Sequence, residues 1–155
     1  MKPLKTILLA EDNPRDVELT LEALSDHNLA NLVQVVHDGV EVLEFLRCEG
    51  AYAERQPGHP VVILLDIKMP RLNGIDVLKE LRSDPELKTI PVVMLTSSRE
   101  TPDLLTCYEL GVNAYVVKPV EFTKFVEVIR QLGIFWALIN EPPLISGALW
   151  KKEAS

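Results

Sequence analysis

Five short apolar runs alternate with amphipathic segments along the chain. The runs lie at residues 6–10, 33–36, 61–65, 92–95 and 114–117. Most of them are continuously apolar, which is typical of strands that are buried on both faces, as in a parallel sheet. The pattern therefore predicts an α/β protein with five parallel strands.

The segments between the runs have the spacing of helices that bury one face. The first begins at Asn13-Pro14, a capping residue followed by a proline at the first helical position, and its residues Val17, Leu21 and Leu24 fall on one face. Further helices are predicted over about residues 39–49, 72–82 and 100–110 and from about residue 121 onward. Alternating strands and helices predict a doubly wound sheet with helices on both faces, for which the flavodoxin-like strand order 2-1-3-4-5 is the leading choice.

Composition narrows the class of protein. The 155 residues are 47% apolar, which fits one globular domain, and the formal net charge of −7 disfavours nucleic acid as a partner. The two cysteines, Cys48 and Cys107, form no C-x-x-C pair and are interpreted as reduced thiols. No apolar stretch approaches the roughly 20 residues of a membrane helix. We therefore expect a cytoplasmic protein that acts without a membrane or nucleic-acid partner.

Charged and hydroxyl side chains follow four of the five runs, where each predicted strand ends. Glu11 and Asp12 follow the first run, Asp66 the third, Thr96 the fourth and Lys118 the fifth. In the predicted order these strands are neighbours, so their carboxyl ends should place the five side chains in one pocket. Two carboxylates about 4 Å apart repel by on the order of 4 kcal/mol at an effective dielectric constant near 20. The cluster therefore favours a cation, and oxygen ligands with room for water suit Mg²⁺.

The same pocket contains the parts needed for phosphoryl transfer. Lys118 supplies a mobile positive charge, and the Thr96 hydroxyl can donate to a phosphoryl oxygen. Each residue taken alone has an ordinary interpretation as well. Glu11 and Asp12 are also typical of an acidic turn at a helix start, Thr96 of a turn and Lys118 of a solvated surface.

Four motifs in this order resemble the receiver domains of two-component response regulators. They are Glu11-Asp12-Asn13, Leu64 to Pro70 with Gly74, Thr96-Ser97, and Val117-Lys118-Pro119. The resemblance runs from about residue 5 to residue 132. It implies a signalling phosphoacceptor that assists its own phosphotransfer and dephosphorylation, with a sensor histidine kinase as its partner, rather than an enzyme.

The resemblance implies a role for each matching position. Asp66 matches the phosphorylated aspartate, and Thr96 and Lys118 match the hydroxyl and the lysine that assist it. Thr96 and Tyr115 match the switch residues, and the Lys118–Pro119 bond matches one that is often cis. The implied Mg²⁺ ligands are Asp12, Asp66, the backbone carbonyl of Lys68 and, through water, Glu11.

The residues at 134–139 are apolar on every side, which predicts that they are buried. Phe135-Trp136, followed by Glu141-Pro142-Pro143, resembles the single-domain response regulators that serve cyanobacterial phytochromes, which are light-sensing histidine kinases. That resemblance implies a phytochrome-type kinase and a homodimer through the fourth helix, fifth strand and fifth helix (α4-β5-α5), with Phe135 and Trp136 at the interface. The alternative is that this segment folds back over its own domain.

We expect a receiver domain over residues 5–135, followed by a C-terminal extension over 136–155 without an output domain.

Two other functions are disfavoured by single positions in the sequence. An aspartyl phosphohydrolase usually carries a second acid two residues after its nucleophile, where this chain has Lys68. A flavin module would need a phosphate-binding loop after the first strand, where Glu11 and Asp12 would repel the phosphate. A degenerate receiver that acts only as a scaffold is disfavoured because no motif position is missing.

Overall fold

One parallel sheet organises the computed structural model, which describes residues 5–97 and 101–139. The sheet has the strand order β2-β1-β3-β4-β5. Its strands are β1 (Ile7–Ala10), β2 (Val33–Val36), β3 (Val62–Asp66), β4 (Val92–Thr96) and β5 (Ala114–Val117). Every residue of the three central strands is buried, as expected for apolar runs covered on both faces. The predicted doubly wound α/β fold and its strand order are confirmed.

Helices cover both faces of the sheet and divide the interior into two cores. The α-helices are α1 (Pro14–Ala23), α2 (Gly39–Arg47), α3 (Gly74–Ser83), α4 (Thr101–Glu109), α5 (Phe122–Gln131) and α6 (Phe135–Ile139), and two 3₁₀ helices span Asp26–Leu32 and Gly50–Tyr52. Residues of α2, α3 and α4 pack on one face of the sheet, and α5, α6 and the residues around α1 pack on the other. Over 5–97 and 101–139, no helix has both the length and the apolar character needed to cross a bilayer.

The start of α1 follows the sequence prediction. The Asn13 side chain accepts hydrogen bonds from the backbone N–H groups of Arg15 and Asp16, and Pro14 occupies the first helical position. Since Asn13 comes only three residues after β1 ends at Ala10, the first turn of α1 lies at the carboxyl edge of the sheet.

The end of the fifth helix differs from the prediction. We expected one helix from about residue 121 onward, but α5 ends at Gln131 and Gly133 adopts a φ of 73° before α6 begins. A residue with positive φ cannot continue a right-handed helix, and glycine adopts this conformation at little cost.

The apolar segment beyond Gly133 packs on its own domain. Leu138 is buried, and Phe135 packs against the core around α1 and α5, with the Arg130 guanidinium 3.9 Å from its ring centroid. The described part of the segment thus follows the folded-back alternative, while the side chain of Trp136 lies outside the described residues. The homodimer through Phe135 and Trp136 stays a prediction.

Candidate functional site

Three carboxylates meet at the carboxyl edge of the sheet. Glu11 follows β1 and Asp66 ends β3, and these two strands pair in parallel with Ala10 opposite Leu65. The carboxylate oxygens of Glu11, Asp12 and Asp66 lie within 4.8 Å of one another. Glu11 and Asp66 are buried, whereas Asp12 is exposed. The sheet therefore brings together the acids that the sequence predicted to be neighbours.

Lys118 reaches this cluster from the end of β5. Its Nζ donates to Glu11 Oε1 at 2.7 Å, to Asp16 Oδ2 at 2.9 Å and to Asp66 Oδ2 at 3.3 Å. Only 12% of the side chain is exposed. A lysine ammonium has three N–H donors, so these three carboxylates account for all of them.

Burial controls the charge state of the cluster. It raises the pKa of Glu11 to about 7, and the hydrogen bond to Asp66 adds to the shift while Lys118 opposes it. Burial alone would lower the pKa of Lys118, but the hydrogen bonds to Glu11 and Asp16 outweigh it and raise that pKa above its usual value. The lysine therefore stays charged, whereas the Glu11 carboxyl group is partly protonated near neutral pH.

The donor set fits a hard divalent cation. The Lys118 ammonium contacts the carboxylates of Glu11, Asp16 and Asp66. The Asp12 carboxylate lies within 4.8 Å of those of Glu11 and Asp66, so negative charge remains uncompensated in the cluster. The available ligand atoms are all oxygens, and the exposed position of Asp12 leaves room for water. Oxygen ligands with retained water are the environment that Mg²⁺ prefers.

The sequence analysis did not identify Asp16. Its carboxylate belongs to the first turn of α1 and is the second-shortest contact of Lys118. In the sequence it is an acid near a helix start, which is common for reasons of helix capping and dipole alone. The available signal was its position four residues after Asp12, one helical turn from the acidic pair.

Of the remaining predicted residues, Thr96 and Lys68 lie at the same edge of the sheet, whereas Tyr115 lies within β5. Thr96 ends β4, is buried, and accepts a hydrogen bond at its carbonyl from the Lys118 backbone N–H at 2.7 Å. Thr96 and Lys68 line a small cavity together with Asp66. The ring of Tyr115 packs edge-on against Tyr108 of α4, with centroids 5.8 Å apart. The Lys118–Pro119 peptide bond is cis.

The loop after Asp66 is fixed by close backbone packing. The Gly74 N–H donates to the Ile67 carbonyl at 2.8 Å, and a Cβ at Gly74 would collide with the carbonyl oxygen of Asp66. Arg71 in the same loop donates to both carboxylate oxygens of Asp38, at 2.9 and 3.1 Å. These contacts hold the chain around Asp66 and Lys68 in one position relative to α2 and α3.

Residues 7–130 match the response regulator receiver domain family. Since this match covers most of the chain, and the strand order and the acid cluster agree with it, the protein belongs to that family.

Phytochrome response regulators are among its relatives. The response regulator Rcp1 of Synechocystis sp. is 37% identical over 86% of this chain and 90% of its own length. The bacteriophytochrome response regulator RtBRR is 55% identical, with a TM-score of 0.79 and coverage of 97% of this chain and 90% of its own.

Two solved structures show such relatives in a phosphorylated form and in a metal-bound form. One is the phosphorylated cyanobacterial phytochrome response regulator RcpA, 38% identical with a TM-score of 0.71 over 89% of this chain and 96% of its own. The other is the Mn²⁺-bound form of Rcp1, 33% identical in the structural superposition, with a TM-score of 0.70 over 89% of this chain and 97% of its own.

Proposed function

We propose that this protein is a phosphorelay response regulator in which Asp66 accepts a phosphoryl group from a sensor histidine kinase. The observation that carries the proposal is the position of the Asp66 carboxylate, which lies between two further acids and the Lys118 ammonium at a buried sheet edge. In the transfer, an Asp66 oxygen forms a bond to phosphorus while the phosphorus–nitrogen bond of a kinase phosphohistidine breaks, and the imidazole nitrogen keeps the electron pair. The protein acts as a phosphoacceptor that assists its own phosphotransfer and dephosphorylation.

Each side chain of the site has a separate role in the proposal. Asp12, Asp66 and the Lys68 carbonyl would hold Mg²⁺ directly, and Glu11 would hold it through water. The ion, when bound, neutralises charge on the phosphoryl oxygens. Lys118 donates a hydrogen bond to one of those oxygens.

Thr96 and Tyr115 form the proposed switch. The Thr96 hydroxyl moves toward the phosphoryl group, and Tyr115 turns into the space that Thr96 leaves. The edge-on contact between Tyr115 and Tyr108 supports this role, because a turn of the Tyr115 ring breaks its contact with α4. Phosphorylation at the sheet edge would thereby alter the α4-β5 surface.

A phytochrome-type kinase is the proposed source of the phosphoryl group. The support is the similarity to RtBRR and Rcp1. We expect an autophosphorylated bacteriophytochrome kinase to transfer its phosphoryl group to this protein at least about tenfold faster than a kinase from an unrelated pathway. A tenfold difference in rate corresponds to about 1.4 kcal/mol of selectivity between the two kinases. Equal rates from both kinases would contradict the phytochrome assignment while leaving the phosphoacceptor role intact.

Asp12→Ala tests the metal site. Removing a direct carboxylate ligand should weaken Mg²⁺ binding by about tenfold or more, because even indirect partners of a bound metal contribute about 10–100-fold. Isothermal calorimetry measures the affinity. Asp76→Ala is the matched control, as it removes a half-exposed acid on α3 that does not belong to the cluster. Equal Mg²⁺ affinities for the two variants would place the metal elsewhere.

We also propose a homodimer through the α4-β5-α5 face. Leu105 and Tyr108 on α4 are 58% and 54% exposed, and they are two of the three large apolar residues exposed in the described part of the chain. An exposed apolar patch of this kind is typical of a protein interface. Because Phe135 packs on its own domain, α4 provides a sharper test of the dimer than the C-terminal aromatic pair.

Leu105→Ser combined with Tyr108→Ser should shift the protein from dimer to monomer in sedimentation velocity at micromolar concentration. The matched control is Leu19→Ser, which changes the third exposed apolar residue, on α1. A wild-type protein that is monomeric with and without phosphorylation would contradict the dimer. A double variant that dimerises as well as the Leu19 variant would exclude this face.

The remaining proposals concern the domain boundaries, the location and the partners of the protein. We propose a receiver domain over residues 5–135 with a C-terminal extension over 136–155, a cytoplasmic location, and protein partners without nucleic acid or membrane. The net charge of −7 supports the absence of a nucleic-acid partner.

A further inference from the structure

We propose that Asp16 sets the resting state of this receiver by competing with the phosphoryl group for the ammonium of Lys118. This inference rests on the proposed function, because it concerns the lysine that would pair with a phosphoryl group on Asp66. It assigns Asp16 as a positioning residue that acts through Lys118.

The ammonium of Lys118 has no spare donor. Its Nζ lies 2.7 Å from Glu11 Oε1, 2.9 Å from Asp16 Oδ2 and 3.3 Å from Asp66 Oδ2, so each of its three N–H groups has a carboxylate acceptor. The contact to Asp66, where the phosphoryl group would be attached, is the longest of the three. A phosphoryl oxygen can therefore gain a short hydrogen bond from Lys118 only if the ammonium moves away from another acceptor.

Burial determines which contact yields most readily. The Glu11 side chain is fully buried, so releasing it would take the ammonium from its Oε1 at a place that bulk water does not reach. The Asp16 side chain is 30% exposed, so water can replace the ammonium there. Of the contacts to Glu11 and Asp16, the contact to Asp16 is thus the one that the fold can give up at the lower cost.

The negative charge of Asp16 also opposes the phosphorylated form. A phosphoryl group on Asp66 carries up to two negative charges in place of the one on the free carboxylate, at an edge where Glu11, Asp12 and Asp16 already lie. The Asp16 carboxylate attracts the same ammonium as the phosphoryl group and repels the phosphoryl group itself. Removing its charge should therefore favour the phosphorylated form in preference to the resting form.

The contact also connects two elements of the fold. Asp16 lies in the first turn of α1, which the Asn13 cap anchors, and Lys118 directly follows β5. When the ammonium turns toward the phosphoryl group, this link between α1 and the end of β5 is lost. The start of α1 would consequently report the state of Asp66.

Asp16→Asn tests the competition directly. Asparagine keeps the shape and one oxygen acceptor but removes the charge. The probe is beryllium fluoride, a tetrahedral mimic of the phosphoryl group, titrated by calorimetry at saturating Mg²⁺ for each protein. We expect Asp16→Asn to bind the mimic at least about fivefold more tightly than wild type, the lower end of typical coupling between two sites.

Glu18→Gln is the matched control, because it removes one negative charge from an exposed position on the same helix. Its affinity for the mimic should equal that of wild type. Thermal unfolding establishes that each variant is folded, and Asp16→Ser replaces the asparagine variant if that variant does not fold. A purely structural role for Asp16 would lower the unfolding temperature without changing the affinity for the mimic.

The possible outcomes separate this inference from the proposed function. A wild-type protein that binds no beryllium fluoride would overturn the proposed function. Binding by wild type, with unchanged or weaker binding by the Asp16 variant, would overturn the competition alone. An equal gain in Asp16→Asn and Glu18→Gln would show a general charge effect and would also overturn it.

Discussion

Asp66→Asn should abolish phosphorylation completely. Asparagine has nearly the same shape but lacks the carboxylate nucleophile that attacks phosphorus. Intact mass spectrometry after incubation with acetyl phosphate and Mg²⁺ measures the adduct, and the modified residue is mapped after reduction. Asp76→Asn, which changes a half-exposed acid in the first turn of α3, is the matched control and should be phosphorylated like wild type.

The Asp66→Asn variant should also keep its fold. Asp66 is repelled by Glu11 and attracted by Lys118 3.3 Å away, so loss of its charge removes two opposing effects. The unfolding temperature should therefore change little, and lost phosphorylation cannot be attributed to unfolding. An adduct that persists undiminished in this variant would show that the phosphoryl group is attached to another residue.

Gly74→Ala should cause a large loss of stability. The added methyl group would collide with the Asp66 carbonyl oxygen, which is backbone and cannot turn away as a side chain can. Overpacking of this kind costs about 1–3 kcal/mol, and the upper end is expected here because the colliding atom belongs to a central strand. A loss of about 3 kcal/mol lowers the unfolding temperature by about 6–12 °C in a chain of this size.

Gly111→Ala provides the comparison for Gly74→Ala. Gly111 has a φ of 76°, and a Cβ there would meet nothing closer than 3.6 Å, so backbone conformation alone opposes alanine. The expected cost is about 1 kcal/mol. Only Gly74→Ala should also reduce phosphorylation of the folded protein, since relief of its collision displaces Asp66. Equal stability losses and equal phosphorylation in the two variants would contradict a specific role for Gly74.

The position of the acid cluster could be predicted from the sequence because strand ends in a parallel sheet share one edge. Once the apolar runs were interpreted as strands in the order 2-1-3-4-5, Asp66 and the residues around it had to meet there. The start of α1 was equally predictable, since Asn13 and Pro14 act on the backbone beside them. In both cases the controlling interactions are local or follow from strand order.

The features that the sequence missed depend on side chains distant in sequence. Asp16 and Lys118 are 102 positions apart, and nothing near Asp16 distinguishes it from any acid at a helix start. Gly74 was named as a motif position, but its close approach to the Asp66 carbonyl depends on the path of the loop between them, which residue spacing does not encode.

The sequence by itself therefore predicted the five strands and three of the acids at one edge, because periodicity and capping are properties of neighbouring residues. The strand order 2-1-3-4-5 was its leading choice, and the structure confirmed it. Only the tertiary structure decided which carboxylates share the Lys118 ammonium, since the length and direction of side chains set contacts that spacing does not encode. It also decided that Leu138 is buried against its own domain, because the turn at Gly133 redirects the apolar segment. The sequence alone was compatible with burial of this segment either against a second subunit or against its own domain.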